Sequence, residues 1–257
     1  MNHYHLSVRN HPRLVATLLA APLLVFVSGC SASQLPRLGL PEPVTDNGHR
    51  TLALWQSSWV AALIVGAFVW GLIVWAVIFH RRRGEKIPAQ TKYNVPIEIL
   101  YTVVPFLIVA VLFFFTARDE SELIKISPKG TPVHVIHVNG IRWSWQFTYE
   151  DLPANTVVTG TPAYAPTLYL PQGERVRFDL TTTDVNHSFW IPAFMMKMDL
   201  IAGRTNQFEV TPEKLGTYAG KCAELCGRDH SLMLFKVKVV PAAEYQQIVN
   251  TLKGSAG

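Results

Sequence analysis

The sequence predicts a membrane-anchored all-β protein, a two-helix transmembrane hairpin followed by an extracytoplasmic antiparallel β-sandwich or barrel. Three observations carry that expectation. Hydrophobic residues make up 49% of the 257 positions and charged ones only 16%, an apolar balance for a chain of ordinary domain size. Two long stretches carry no charge. Beyond Pro132 the texture changes to short alternating segments separated by turn residues. The formal charge of +5 does not mark a nucleic-acid binder, because the stretch from Arg118 to Gly257 carries 14 basic and 14 acidic residues. Three cysteines are too few for a disulfide scaffold.

Residues 1–29 read as a secretory signal. Arg9 and Arg13 precede an apolar run from Leu14 to Val27 that is interrupted by Pro22 and too short to span comfortably. The run ends in Val27-Ser28-Gly29-Cys30, which resembles the bacterial lipoprotein signal; that resemblance makes Cys30 the lipidated first residue of the mature chain. An extracytoplasmic segment, 30–57, leads into the first transmembrane helix, 58–79, with Trp59 and Trp75 near the two interfaces. A second helix, 96–117, contains an uncharged run from Ile99 to Ala117 of about 19 residues, close to the ~20 needed to cross. Between them, residues 80–95 hold Arg81, Arg82, Arg83, Lys86 and Lys92, which places this loop in the cytoplasm and both chain ends outside. Glu98, in the first turn of the second helix, either complements the helix N-terminus or marks a proton or ion route.

Residues 118–241 are expected to form the β domain, and 242–257 a terminal helix and tail. Strand-like segments run over Val133–Val138, Arg142–Tyr149, Thr167–Leu170, Arg175–Leu180, Thr205–Val210 and Leu234–Val240, with turn signals such as Asn139-Gly140 and Ala202-Gly203 between them. Period-2 alternation puts Trp143, Trp145, Phe147 and Tyr149 on one face. His134 and His137, three apart in a strand, point to opposite faces and cannot share a site, so both are read as structural.

Chemistry concentrates between Lys221 and Met233, where Cys222, Cys226, His230 and Met233 fall within one short loop. Thiolates and a thioether are soft donors and imidazole is borderline, a set that favours copper, with zinc or an iron–sulfur cluster as competitors. A blue-copper loop needs one cysteine; the second suits two coppers bridged by two sulfurs, each with its own histidine. His230 is one, and His187, in Val185-Asn186-His187-Ser188-Phe189-Trp190, is the best-placed candidate for the other. A Cys222–Cys226 disulfide is the alternative that an extracytoplasmic location allows.

Cys222-Ala223-Glu224-Leu225-Cys226-Gly227 with His230 and Met233 resembles the dinuclear CuA loop of subunit II of haem-copper cytochrome c oxidases. Trp143-Ser144-Trp145, Asp184 to Phe189, and Lys197-Met198-Asp199 followed by Gly203-Arg204 extend the likeness over most of the mature chain, with Arg142 and Ala202 as departures from the usual residues. The resemblance implies a cupredoxin-like Greek-key domain in which Cys222 and Cys226 bridge the coppers and His187 and His230 are terminal ligands. Met233 and the Glu224 carbonyl are then the weak ligands, with the Glu224 side chain on a magnesium ion shared with subunit I. It also implies that Trp143 is where electrons enter and that Glu98, seven residues before Pro105, stands at a proton-channel entrance.

The function implied is electron uptake from a c-type cytochrome, at the bacterial plasma membrane, for haem in subunit I, where oxygen is reduced. Haem then belongs only to the partner subunit. A quinol oxidase subunit would share the architecture without the thiolate pair, and a membrane-anchored copper carrier is the rival of another class. The balanced charge of the outer domain gives no long-range field to steer a soluble basic cytochrome, although Glu150, Asp151 and Asp184 are candidates for a local acidic patch. A donor tethered to the membrane, or carried by a partner complex, is therefore expected.

Overall fold

The computed structural model describes residues 34–254 apart from 83, 86, 88 and 151–156; the signal segment, Cys30 and Asp151 lie outside the described residues. Helix α1 spans Asp46–Phe79 and α2 spans Val95–Leu123. Thr45 caps α1, its hydroxyl accepting from the Gly48 amide at 3.1 Å. With 34 residues, α1 is about 51 Å long, well beyond a hydrocarbon core of ~30 Å. It therefore starts twelve residues before the expected span, because a cap and not an apolar boundary sets where a helix begins. Asn94 caps α2, and its own amide donates to Glu98 Oε1 at 3.0 Å, so the Glu98 carboxylate closes the helix start. Both helices are apolar enough to cross a membrane.

Among the described residues, ten strands make two five-stranded sheets. One has the order β3-β2-β1-β5-β8, built from Val157–Thr159, Ser144–Tyr149, His134–Ile141, Val176–Thr182 and Asn206–Val210. The other has the order β4-β10-β9-β6-β7, built from Thr167–Pro171, Leu234–Val240, Gly216–Cys222, His187–Ile191 and Met196–Leu200. The domain is a cupredoxin-like sandwich, but it is not wholly antiparallel: β1 runs parallel to β5, and β4 to β10. Side-chain alternation has period 2 in either direction, so the sequence pattern could not tell them apart.

Trp145, Phe147 and Tyr149 of β2 enter the core with Phe178, Phe189, Phe208 and Phe235. Phe189 and Phe235 stack at 4.7 Å, and a Cβ at Gly220 would lie 2.2 Å from the Phe235 ring, so only glycine lets β9 pass over this stack. Helix α3, Ala242–Gly254, buries Tyr245 and Val249. His134 pairs with Glu174 at 2.5 Å and His137 lies 3.5 Å from Asp179, neither near the cysteine loop's partners.

Candidate metal centre

The site forms where β9 ends, the following loop turns, and β10 begins. Cys222 is the last residue of β9, His230 opens a short 3-10 turn, and Met233 precedes β10. The loop's ends are tied together by the Cys222 amide donating to the Met233 carbonyl at 3.0 Å. Trp145 reaches the same carbonyl with its indole N–H at 3.2 Å, so a core tryptophan anchors the loop from below. Ala223 donates to the Ser188 carbonyl at 3.1 Å, which brings β6 and its first residue, His187, alongside.

Six donors converge. The two sulfurs are 3.9 Å apart; Cys222 Sγ lies 3.8 Å from His187 Nδ1 and 3.2 Å from the Glu224 carbonyl oxygen. Cys226 Sγ lies 3.5 Å from His230 Nδ1 and 3.8 Å from Met233 Sδ. Each thiol thus has its own imidazole and its own weak donor, a pattern that suits two soft metals sharing two sulfurs better than four ligands closing round one ion. His187 and Met233 are fully buried and both cysteines nearly so. The cysteines are free thiols, which leaves the disulfide reading without support. Burial disfavours charge on either sulfur. For Cys222 the hydrogen bonds from His187, from the Ser188 and Glu224 backbone and from His230 together outweigh it and the thiol pKa falls, whereas for Cys226 burial and the charge on Cys222 act together and raise it. A metal that holds both as thiolates must therefore displace a proton the fold alone retains.

Asp184, nominated from the sequence for a local acidic patch, is tied by the fold to His187. Its Oδ1 meets His187 Nε2 at 2.9 Å and accepts from the Val185 amide, while Oδ2 accepts from the Arg142 amide at 2.8 Å. Burial would raise its pKa, but bonds from His187, Arg142, Val185 and Thr182 hold the carboxyl well below the usual carboxylate range. A carboxylate on the far nitrogen fixes the ring's orientation and leaves Nδ1 facing Cys222. The spacing Asp-x-x-His was the available signal. Gly140 belongs to the same arrangement: it sits inside β1 and not in a turn, and a Cβ there would meet the His187 ring at 3.0 Å.

Trp143 falls out of the β2 alternation, because the strand begins at Ser144. Half-buried, its indole N–H donates to the Cys226 carbonyl at 3.2 Å. The ring lies against Gly227, where φ is +124° and a Cβ would come within 3.1 Å, and the Arg228 guanidinium stands 5.6 Å from its centroid. Trp143 is therefore in direct contact with the metal loop and reaches the surface. Glu224 is exposed with its carbonyl turned inward, and Glu98 lies apart from all of these at the start of α2.

Residues 37–118 match the family described as Cytochrome C oxidase subunit II, transmembrane domain, and residues 163–240 match its periplasmic domain. The chain is 48% identical to a probable cytochrome c oxidase subunit 2 of Streptomyces avermitilis, over 95% of this chain and 89% of that one. It is 32% identical to cytochrome c oxidase subunit 2 of Mycobacterium tuberculosis, over 90% and 79%. Among solved structures, the periplasmic domain of subunit II of cytochrome oxidase from Bradyrhizobium japonicum is 29% identical, covers 51% of this chain and all of its own, and has a TM-score of 0.45.

Proposed function

The chain belongs to the cytochrome c oxidase subunit II family, the electron-accepting subunit of a respiratory terminal oxidase, and we propose that Cys222, Cys226, His187, His230, Met233 and the Glu224 carbonyl hold a dinuclear copper centre. The observation that carries this reading is that each buried thiol faces the other and also an imidazole of its own. When bound, the copper pair supplies a reversible one-electron store between a c-type cytochrome and the haem of subunit I. The chain's own residues hold that store rigid. Cys222 is fixed by the end of β9 and its amide bond to Met233, Cys226 is held through its carbonyl by Trp143, His187 is braced by Asp184, and Met233 is sealed in the core. A rigid, desolvated site limits how much surrounding structure must rearrange on each electron transfer.

Trp143 is assigned as the point where electrons enter, since it joins the outer surface to the Cys226 carbonyl. The exposed Glu224 carboxylate offers one oxygen to a magnesium ion whose other ligands must come from subunit I. Glu98 is assigned to proton uptake from the cytoplasmic side, with the Asn94 amide orienting its carboxylate. Residues 1–29 are read as a signal removed on export, with lipid on Cys30, in a bacterial plasma membrane. The donor is read as a tethered cytochrome, because the balanced outer domain cannot steer a soluble one over distances beyond about 8 Å.

The purified full chain loaded with copper should bind two ions and give an electron resonance spectrum split by both nuclei. A single-copper pattern at full loading would overturn the assignment. Turnover with the native donor should change little between low and physiological salt; a steep fall would point to electrostatic capture instead.

A further inference from the structure

Strand β8 carries an acid where alternation should leave it in water. Phe208 and Val210 face the core, so Glu209 points out of the sandwich, yet its side chain is 0% exposed. What covers it is the outer end of the helix hairpin. The Ser127 amide, just beyond α2, donates to Oε1 at 3.1 Å, and the Ser127 hydroxyl donates to Oε2 at 2.5 Å. Arg177, its cross-strand partner on β5, donates to Oε1 at 3.0 Å, and Arg175 stands 3.6 Å from Oε2. The other hand of Arg175 reaches Asp46, the first residue of α1, at 3.0 Å.

Asp46 in turn accepts from the Thr211 amide at 2.8 Å, and the Asn47 side chain donates to the Glu209 carbonyl at 2.8 Å. Arg50 of α1 and Arg118 of α2 share Asp119, at 3.2 and 2.9 Å, which ties the two helices to each other. The start of one membrane helix and the exit of the other are thus fastened to the same strand. The strand register places Gly140 and Thr182, beside His187, at one end of this sheet and His134, Val176 and Val210 at the other. The fastening therefore lies toward the end remote from the metal loop.

Apolar contact is non-directional, and a domain resting on a membrane by that alone could rock. Hydrogen-bonded guanidinium–carboxylate pairs fix direction as well as distance, and a buried ion pair serves specificity better than it serves stability. Electron tunnelling falls steeply with distance, so the orientation of the β domain governs hand-over to the membrane partner. We propose that Glu209, Arg175, Asp46 and Ser127 form a clamp that holds the β domain at one orientation on the helix hairpin, making them positioning residues for electron transfer from the copper loop to subunit I. The proposal rests on the electron-accepting role described above.

The test uses the whole oxidase complex carrying Glu209→Gln or, where that variant does not assemble, Arg175→Gln, which breaks the link to Asp46 but leaves Glu209 with Arg177 and Ser127. Two quantities are read: the rate of internal electron transfer to haem after rapid reduction of copper, and hydrogen exchange at the Ser127 and Thr211 amides. Expected are faster exchange, at the Ser127 amide in Glu209→Gln and at the Thr211 amide in Arg175→Gln, and internal transfer slowed about tenfold, equal to roughly 1.4 kcal/mol of barrier. The copper spectrum and the rate of electron uptake from the donor should not change, which a general loss of folding would not allow. Opened amides with an unaltered internal rate would overturn the clamp, since subunit I alone would then hold the domain. A slowed rate with amides still protected would overturn it too, in favour of a direct effect of charge. Failure of the unmodified complex to take electrons at copper would instead strike the electron-accepting role itself.

Discussion

Two regions of the β domain bury polar groups, and they resolve the cost of doing so in opposite ways. Around Glu209 every charge finds its complement within the chain, with Ser127, Arg175 and Arg177 converging on one carboxylate. Around Cys222 the donors face one another: two thiols, two imidazoles and a thioether, with no fixed positive charge among them. The first region is complete as folded and can only hold. The second offers its donors to an added cation, and its charged brace, Asp184, acts on His187 and not on the sulfurs. Self-satisfied polar clusters fix geometry, and clusters of like donors recruit metal.

The comparison breaks most visibly at the sulfurs. Cys226→Ser replaces a soft bridging donor by a poor one, and oxidase activity should fall to background with the chain still folded and membrane-bound. Metal analysis and an electron resonance spectrum showing both coppers retained would refute the bridging role.

Glu209→Ala should act in the opposite sense, on stability before metal. It leaves Arg177 without its buried partner, a loss of about 3–5 kcal/mol, seen as a fall in Tm on the order of 10 °C for a domain of this size. Its pH dependence sharpens the point. Burial would raise the Glu209 pKa, but Ser127 and Arg177 outweigh it and the carboxyl ionises below the usual range. The stabilisation is therefore full above the unfolded glutamate value of about 4.3 and is lost as the pH falls through the lower folded value. The Tm gap between wild type and Glu209→Gln should be widest near neutrality and narrow below pH about 4. A gap independent of pH would show that the charge of Glu209 is not what the arginines hold.

Asp184→Asn should have the smallest effect. It keeps a side chain of the same shape beside His187 but removes the carboxylate, and copper affinity should weaken about 10–100-fold. Competition with a chelator measures it. If Asp184 instead belonged to a donor-docking patch, the change would appear in the salt dependence of turnover and leave copper retention untouched.

Much of this was legible in the chain itself. Length without charge marked the two membrane helices, since a bilayer tests only hydropathy and span. Cys222, Cys226, His230 and Met233 could be nominated together because all four lie within one turn between strands, where sequence neighbours are neighbours in space, and the structure does bring their donor atoms together. His187 could be nominated but not placed. Its approach to Cys222 depends on β6 pairing with β9, a contact between residues 35 apart.

Everything else at the site required the tertiary fold. Parallel and antiparallel strands share one alternation, so sheet direction was hidden. Gly140 looked like a turn residue and is the gap into which the His187 ring fits. Asp184 was nominated only for an acidic patch and Glu209 for nothing, yet each is a fixed anchor, Asp184 between neighbouring His187 and distant Arg142, and Glu209 between β5 and the segment that follows α2. Local sequence determined which elements form and which donors cluster, because those follow from periodicity and spacing. The roles of single charges were decided only when chain segments far apart in sequence closed over them, because burial, not residue type, sets what a carboxylate does.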